Sequence, residues 1–145
     1  MEFKSKAHQS TYNSVKTWMH ELFGETVIAL DRFPVLILRN ASADVQVVVS
    51  DWRENDAVIH SRSFLVKDVE LTPELTEFLL TMNDRVVFGG FGVTGNGEIY
   101  FEHALAASGC NKEALRHSVL AVASTASKVC DEIVSRFGGR KMSDD

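Results

Sequence analysis

The stretch FGGFGVTGNGE at residues 88–98 contains a literal G-x-G-x-x-G between Gly90 and Gly95. A dinucleotide site uses such glycines to open a helix, whose first N–H groups and dipole then meet a pyrophosphate. Here a strand-like run precedes Gly90, but Glu98-Ile99-Tyr100-Phe101-Glu102 follows, alternating with the period of another strand. Asn96-Gly97 between two such runs is a hairpin signal, read as a type I′ turn with positive φ at both central residues. A kinase-like glycine loop also lies between strands. It requires a lysine on the next strand and catalytic Asp and Asn loops, which this chain lacks. The glycines are therefore read as backbone features, marking where the strand bends or where another backbone packs close. A small-ligand or nucleotide-binding regulator using the Gly89–Gly97 loop is the alternative.

Other residues invite chemistry less. His103, Cys110 and His117 are evenly spaced, but no C-x-x-C or H-x-x-x-H pairing accompanies them, and a strand carries the first while a helix carries the last. No metal or cofactor is expected. Glu98, Tyr100 and Glu102 share the strand face opposite Ile99 and Phe101. Two carboxylates without a paired acid, base or nucleophile read as a solvated face. There is no G-x-S-x-G, Walker loop or H-E-x-x-H, so the chain is not read as an enzyme. Trp18 shares a helical face with Val15 and Leu22 and belongs to the core. Trp52 closes a strand and is the better interface residue, since aromatic side chains are enriched where proteins meet. Trp52, Tyr100, Glu98 and Glu102 are the candidate partner-binding residues.

The elements that must position these residues follow from spacing. Tyr12, Val15, Trp18, Met19, Leu22 and Phe23 form one helical face, stopped by Gly24. Thr26–Leu30 and Pro34–Arg39 form a hairpin, followed by strands Val45–Trp52 and Ala57–Val66. Thr72-Pro73-Glu74 is a cap, a first-turn proline and an acid that complements the helix dipole. Leu75, Phe78, Leu79 and Met82 form the buried side of that helix, which ends near Asn83. Strands Val86–Val93 and Glu98–Leu105 come next. A long amphipathic helix then runs from about Asn111 to Gly138-Gly139 through Leu115, Val119, Val122, Ala126, Val129, Ile133 and Phe137. Its wide apolar stripe leaves room for one side to face a second subunit. Cys110 and Cys130 bracket this helix about 30 Å apart, too far for a disulfide, so both should be free thiols.

This order, α-β-β-β-β-α-β-β-α, is an α+β domain: an antiparallel sheet of about five to six strands packed by helices. Residues 1–139 are expected to form the single domain and residues 140–145 a frayed tail. With 145 residues, 45% hydrophobic content and net charge −5, the chain can build its own core. Its lysines and arginines are scattered, which speaks against a nucleic-acid partner held by bulk charge. MEFKSKAHQS has no apolar core of a secretory signal and no apolar run spans a bilayer, so no membrane association and a cytoplasmic location are expected.

The second half carries a family likeness. LTPELTEFLLTMN at 71–83, FGGFGV at 88–93, GEIYFEHAL at 97–105 and RFGG at 136–139 resemble the YbjN-like family and its related cyanobacterial domains of unknown function, which share the type III secretion chaperone-like fold. The resemblance implies a small homodimeric, non-enzymatic protein, chaperone-like or regulatory, that acts by binding another protein, with no cofactor. It carries no catalytic residue across. Secretion chaperones hold an unfolded client segment along their sheet and helix surfaces, whereas YbjN-like proteins are linked to regulation and stress adaptation.

Overall fold

A computed structural model describes residues 1–144. Along the chain lie α1 (Lys6–Phe23), β1 (Val27–Ala29), β2 (Val35–Leu38), β3 (Val45–Trp52), β4 (Asp56–Lys67), α2 (Pro73–Arg85), β5 (Gly90–Val93), β6 (Ile99–Ala106), α3 (Lys112–Phe137) and β7 (Arg140–Lys141). The strands form one seven-stranded antiparallel sheet ordered β1-β2-β3-β4-β6-β5, with β7 added beside β4.

Local chemistry sets the helix ends. The Ser5, Thr72 and Asn111 side chains each accept an N–H from the first turn of α1, α2 and α3 respectively, and Pro73 opens α2. Gly24 and Gly138, with φ of 61° and 86°, end α1 and α3 in a conformation most side chains avoid.

One face of the sheet is covered. Val45, Val47 and Val49 of β3, Ala57, Ile59 and Leu65 of β4, and Ile99 and Phe101 of β6 are buried beneath Tyr12, Val15 and Met19 of α1 and the Leu115–Ile133 stripe of α3. Burying each of the valine, leucine, isoleucine, phenylalanine and methionine side chains contributes roughly 1.5–3 kcal/mol. A register shift between Phe64 and Val66 leaves Leu65 and Val66 buried in succession and bends β4.

Four details depart from the sequence reading. First, α1 begins at Lys6, one turn before the apolar stripe, and its His8 is buried. The His8 ring lies edge-on to Phe3, and its Nε2 sits 2.8 Å from the Val49 carbonyl oxygen. Second, the strand expected from Val86 begins only at Gly90, because α2 continues to Arg85 and Gly89 turns the chain at φ 86°. Val87 and Phe88 between them are exposed.

Third, the hairpin is not a type I′ turn. Among residues 94–98 only Gly97 has positive φ, at 79°, and its N–H donates to the Thr94 carbonyl over 3.0 Å, while the Thr94 N–H donates to the Glu98 carbonyl over 2.9 Å. This is a three-residue loop closed by a glycine bulge. Fourth, the expected frayed tail forms β7. Lys141 and Arg140 register with Val66 and Lys67, and the Met142 N–H donates to the Leu65 carbonyl over 3.2 Å. Arg140 pairs with Asp68 and Lys141 with Asp131. β3 begins too late to pair this end of β4, and the returning chain fills that edge. Asp145, also in the expected tail, lies outside the described residues.

Candidate functional site

Among the described residues, no helix covers the second face of the sheet. Alternation along each strand, together with the observed register, places its residues in rows. Val35, Val48, His60 and Ala104 form one row across β2, β3, β4 and β6. Ile28, Ile37, Gln46, Arg62 and Glu102 form the next, and Phe64 and Tyr100 a third. On the other side of the valine row stand Ser50, Val58 and Ala106, and finally Trp52 opposite Asp56. Every one of these residues is half-buried or exposed, whereas their neighbours along the strands are largely buried. A sheet face rich in Val and Ile with no covering layer is an unusual thing to leave to water.

The Tyr100 end holds the most elaborate side-chain cluster. Arg62 Nε donates to Glu102 Oε2 over 2.8 Å, and its Nη2 lies 2.6 Å from the same oxygen. The guanidinium carbon sits 4.9 Å from the Tyr100 ring centre and 5.9 Å from that of Phe64. Phe64 and Tyr100 meet edge to face at 6.1 Å. Arginine and aromatic rings held rigid by one another are the side chains that dominate binding energy at protein interfaces.

Of the sequence candidates, Tyr100 and Glu102 belong to this cluster directly. Glu98 stands just outside β6, where Oε1 takes a long 3.4 Å hydrogen bond from Thr94 Oγ1. Trp52 shares the face but not the cluster. Eight residues of β4, about 26 Å at the usual strand rise, separate its partner Asp56 from Phe64, the partner of Tyr100. There Trp52 is 38% exposed, with the Arg53 guanidinium 4.4 Å from its ring centre. Arg62, Phe64 and His60 were missed. Their period-two spacing in SFLVK and its upstream run was visible, but which face lay bare was not.

The glycines of the loop are explained by how β5 and its approach pack against β6. A Cβ at Gly92 would lie 2.4 Å from the Tyr100 ring, and one at Gly89 would lie 2.6 Å from the Glu102 carbonyl oxygen and 2.8 Å from the Phe101 ring. Cross-strand aromatic side chains occupy the space that side chains at 89 and 92 would need. Several of the loop's N–H groups are also committed. Those of Thr94 and Gly97 close the hairpin, those of Asn96 and Glu98 donate to Thr94 Oγ1, and that of Phe91 donates to Asn83 Oδ1 over 2.6 Å. A phosphate cradle needs such donors free and convergent.

Asn83 has a further role. Its Nδ2 donates to the Phe91 carbonyl over 3.3 Å, so the one amide satisfies both outward backbone groups of Phe91 on the edge strand β5. Through Asn83, α2 thereby blunts one sheet edge. At the other edge, β1 carries the exposed Ile28.

Two of the histidines, His103 and His117, have local partners. His103 Nδ1 lies 2.8 Å from Ser118 Oγ, which donates to Ser61 Oγ over 3.3 Å, and both serines are buried between sheet and α3. Burial holds the His103 imidazole below the usual histidine pKa. A serine so enclosed leaves no room for an acyl group beside it, so the pair reads as a buried polar network. His117 faces Glu113 on the exposed side of α3. Cys110 and Cys130 are free thiols, and burial pushes the Cys130 thiol up to about 11. Among the described residues, no helix is long and apolar enough to cross a membrane.

Against known proteins, residues 9–145 match the family described as the T3SS (YopN, CesT) and YbjN peptide-binding chaperone 1. The chain belongs to this family of peptide-binding chaperones. The fold is similar to the crystal structure of YbjN, a candidate transcription regulator from E. coli, with a TM-score of 0.60 and 12% identity over 90% of this chain and 96% of that one. No curated protein sequence matches the chain.

Proposed function

We propose that the bare sheet face binds an extended, largely apolar segment of another protein, without catalysis, and that the chain does so as a cytoplasmic homodimer. The observation that carries this reading is the uncovered run of valine and isoleucine rows that ends on the Arg62–Tyr100–Phe64 cluster. An extended segment laid along the rows covers the apolar side chains, while the cluster offers a rigid stacking surface and two fixed charges. Where main-chain pairing contributes, it goes to β1, because Asn83 already occupies Phe91 on β5. A peptide-binding family supports the class of ligand. The partly exposed Leu120 on α3 supports a second subunit against that helix.

The test is fluorescence anisotropy with labelled extended peptides that alternate apolar and polar residues. Val48→Lys should abolish binding and Tyr100→Ala should weaken it about tenfold, the loss of one interface anchor. Trp52→Asp, at the far end of the face, should weaken it less. Unchanged affinity in both Val48→Lys and Tyr100→Ala would remove the face from consideration. Sedimentation velocity decides the homodimer separately.

A further inference from the structure

A second surface has a chemistry of its own. α2 turns Leu75 and Leu79 inward and, among the described residues, leaves its outer stripe without a partner. Leu71, Pro73 and Leu80 line a broad open depression of about 720 Å³ there, with Leu80 64% and Leu71 48% exposed. Two carboxylates, Glu77 and Asp84, line the same depression. Glu70 and Glu74 flank it, both exposed. None of these four carboxylates enters an ion pair among the described residues. Arg136, across the groove between α2 and α3, is already paired with Glu132 at 3.2 Å. Arg85 at the last turn is the one cation of α2.

We propose that this face of α2 docks a basic amphipathic segment of a partner protein. An apolar stripe within unneutralised carboxylates is complementary to leucine flanked by lysine or arginine, and it repels both an acidic segment and a second copy of the same acidic face. From Pro73 to Asp84 the helix rises about 17 Å, matching roughly three turns of a partner helix. This surface is distinct from the bare sheet face and does not depend on that reading.

The probe is a labelled synthetic helix of about fourteen residues, about 21 Å long, with leucine along one stripe and lysine elsewhere. A twin with glutamate for lysine is the control. The lysine helix should bind, binding should weaken with added salt, and the glutamate twin should not bind. Glu77→Lys with Asp84→Lys should weaken binding about tenfold through reversed charge. Leu80→Asn, at an exposed position that the fold does not need, should weaken it through the lost anchor, while Tyr100→Ala should leave it unchanged. Equal binding of both helices, no binding, or indifference to the charge reversal would overturn the proposal. So would sedimentation showing that Leu80→Asn converts a dimer into monomers, which would assign the face to a second copy.

Discussion

Proline at the start of β2 leaves β3 with a missing partner, and the fold supplies one from a helix. The Val49 N–H donates to the Pro34 carbonyl over 3.0 Å, but Pro34 has no N–H to return to the Val49 carbonyl. His8 Nε2 stands 2.8 Å from that carbonyl, and the Lys4 N–H donates to His8 Nδ1 over 3.2 Å. With Nδ1 accepting, the ring proton lies on Nε2 and donates to Val49. His8→Phe keeps the ring against Phe3 but leaves a buried carbonyl unsatisfied, at a cost of about 1–3 kcal/mol. Pro34→Ala restores a donor at the same place. In the wild type it should cost up to about 1 kcal/mol through greater freedom of the unfolded chain. In the His8→Phe background the restored hydrogen bond, worth about 1 kcal/mol, should offset that cost. The double variant should then be about as stable as His8→Phe alone, and the cycle should show a coupling of about 1 kcal/mol. Urea unfolding followed by circular dichroism, analysed as a double-mutant cycle, reads the coupling directly. Additive effects, or a His8→Phe cost below about 0.5 kcal/mol, would refute the substitution of histidine for the missing amide.

Other outcomes follow from the same packing. Gly92→Ala places a Cβ where the Tyr100 ring lies and should destabilise by about 1–3 kcal/mol, while Gly95→Ala, with nothing within 4 Å of its Cβ, should be near neutral in thermal melts. Because burial lowers the His103 pKa, the unfolded chain takes up the proton first, so stability should decline as pH falls below 6.5. His103→Gln should flatten that decline, and an unaltered slope between neutral and mildly acid pH would contradict it. The Asp56 carboxyl is held below its ordinary 3.8 by hydrogen bonds from the Ala57 N–H and Ser108, so its contribution persists above that pH and is lost as pH falls through the folded value. Cys130, buried with its thiol pushed up to about 11, should resist alkylation at pH 8 until urea unfolds the chain. Rapid labelling in the native state would place it elsewhere.

Much of this architecture was legible in local spacing. The Thr72-Pro73 and Asn111 caps and the Gly24 and Gly138 stops set helix ends closely, because each acts through groups within one turn of itself. The alternation of β3, β4 and β6 likewise separated buried from outward residues. What escaped depended on contacts distant in sequence. β7 exists because β3 starts late, leaving an edge of β4 open more than seventy residues before the segment that fills it. His8 precedes the apolar stripe of α1 and gives no signal in sequence; its role appears only where Pro34 lies beside Val49. That Tyr100 and Glu102 share one face follows from the pattern of β6 alone. Arg62 joins them only through the pairing of β4 with β6, which periodicity leaves undetermined. Asn83 and the FGGFG run carried a family likeness in sequence. Its physical basis is an amide capping an edge strand and glycines lying beneath aromatic rings.

The most direct test of the bare face is a ¹H–¹⁵N titration of the protein with an extended apolar peptide, following every backbone amide. The account predicts shifts that follow the rows, at Val48, His60, Arg62, Tyr100 and Ala104, with the outer surface of α3 unmoved. Shifts confined to the helical side, or saturable binding with the rows silent, would contradict it.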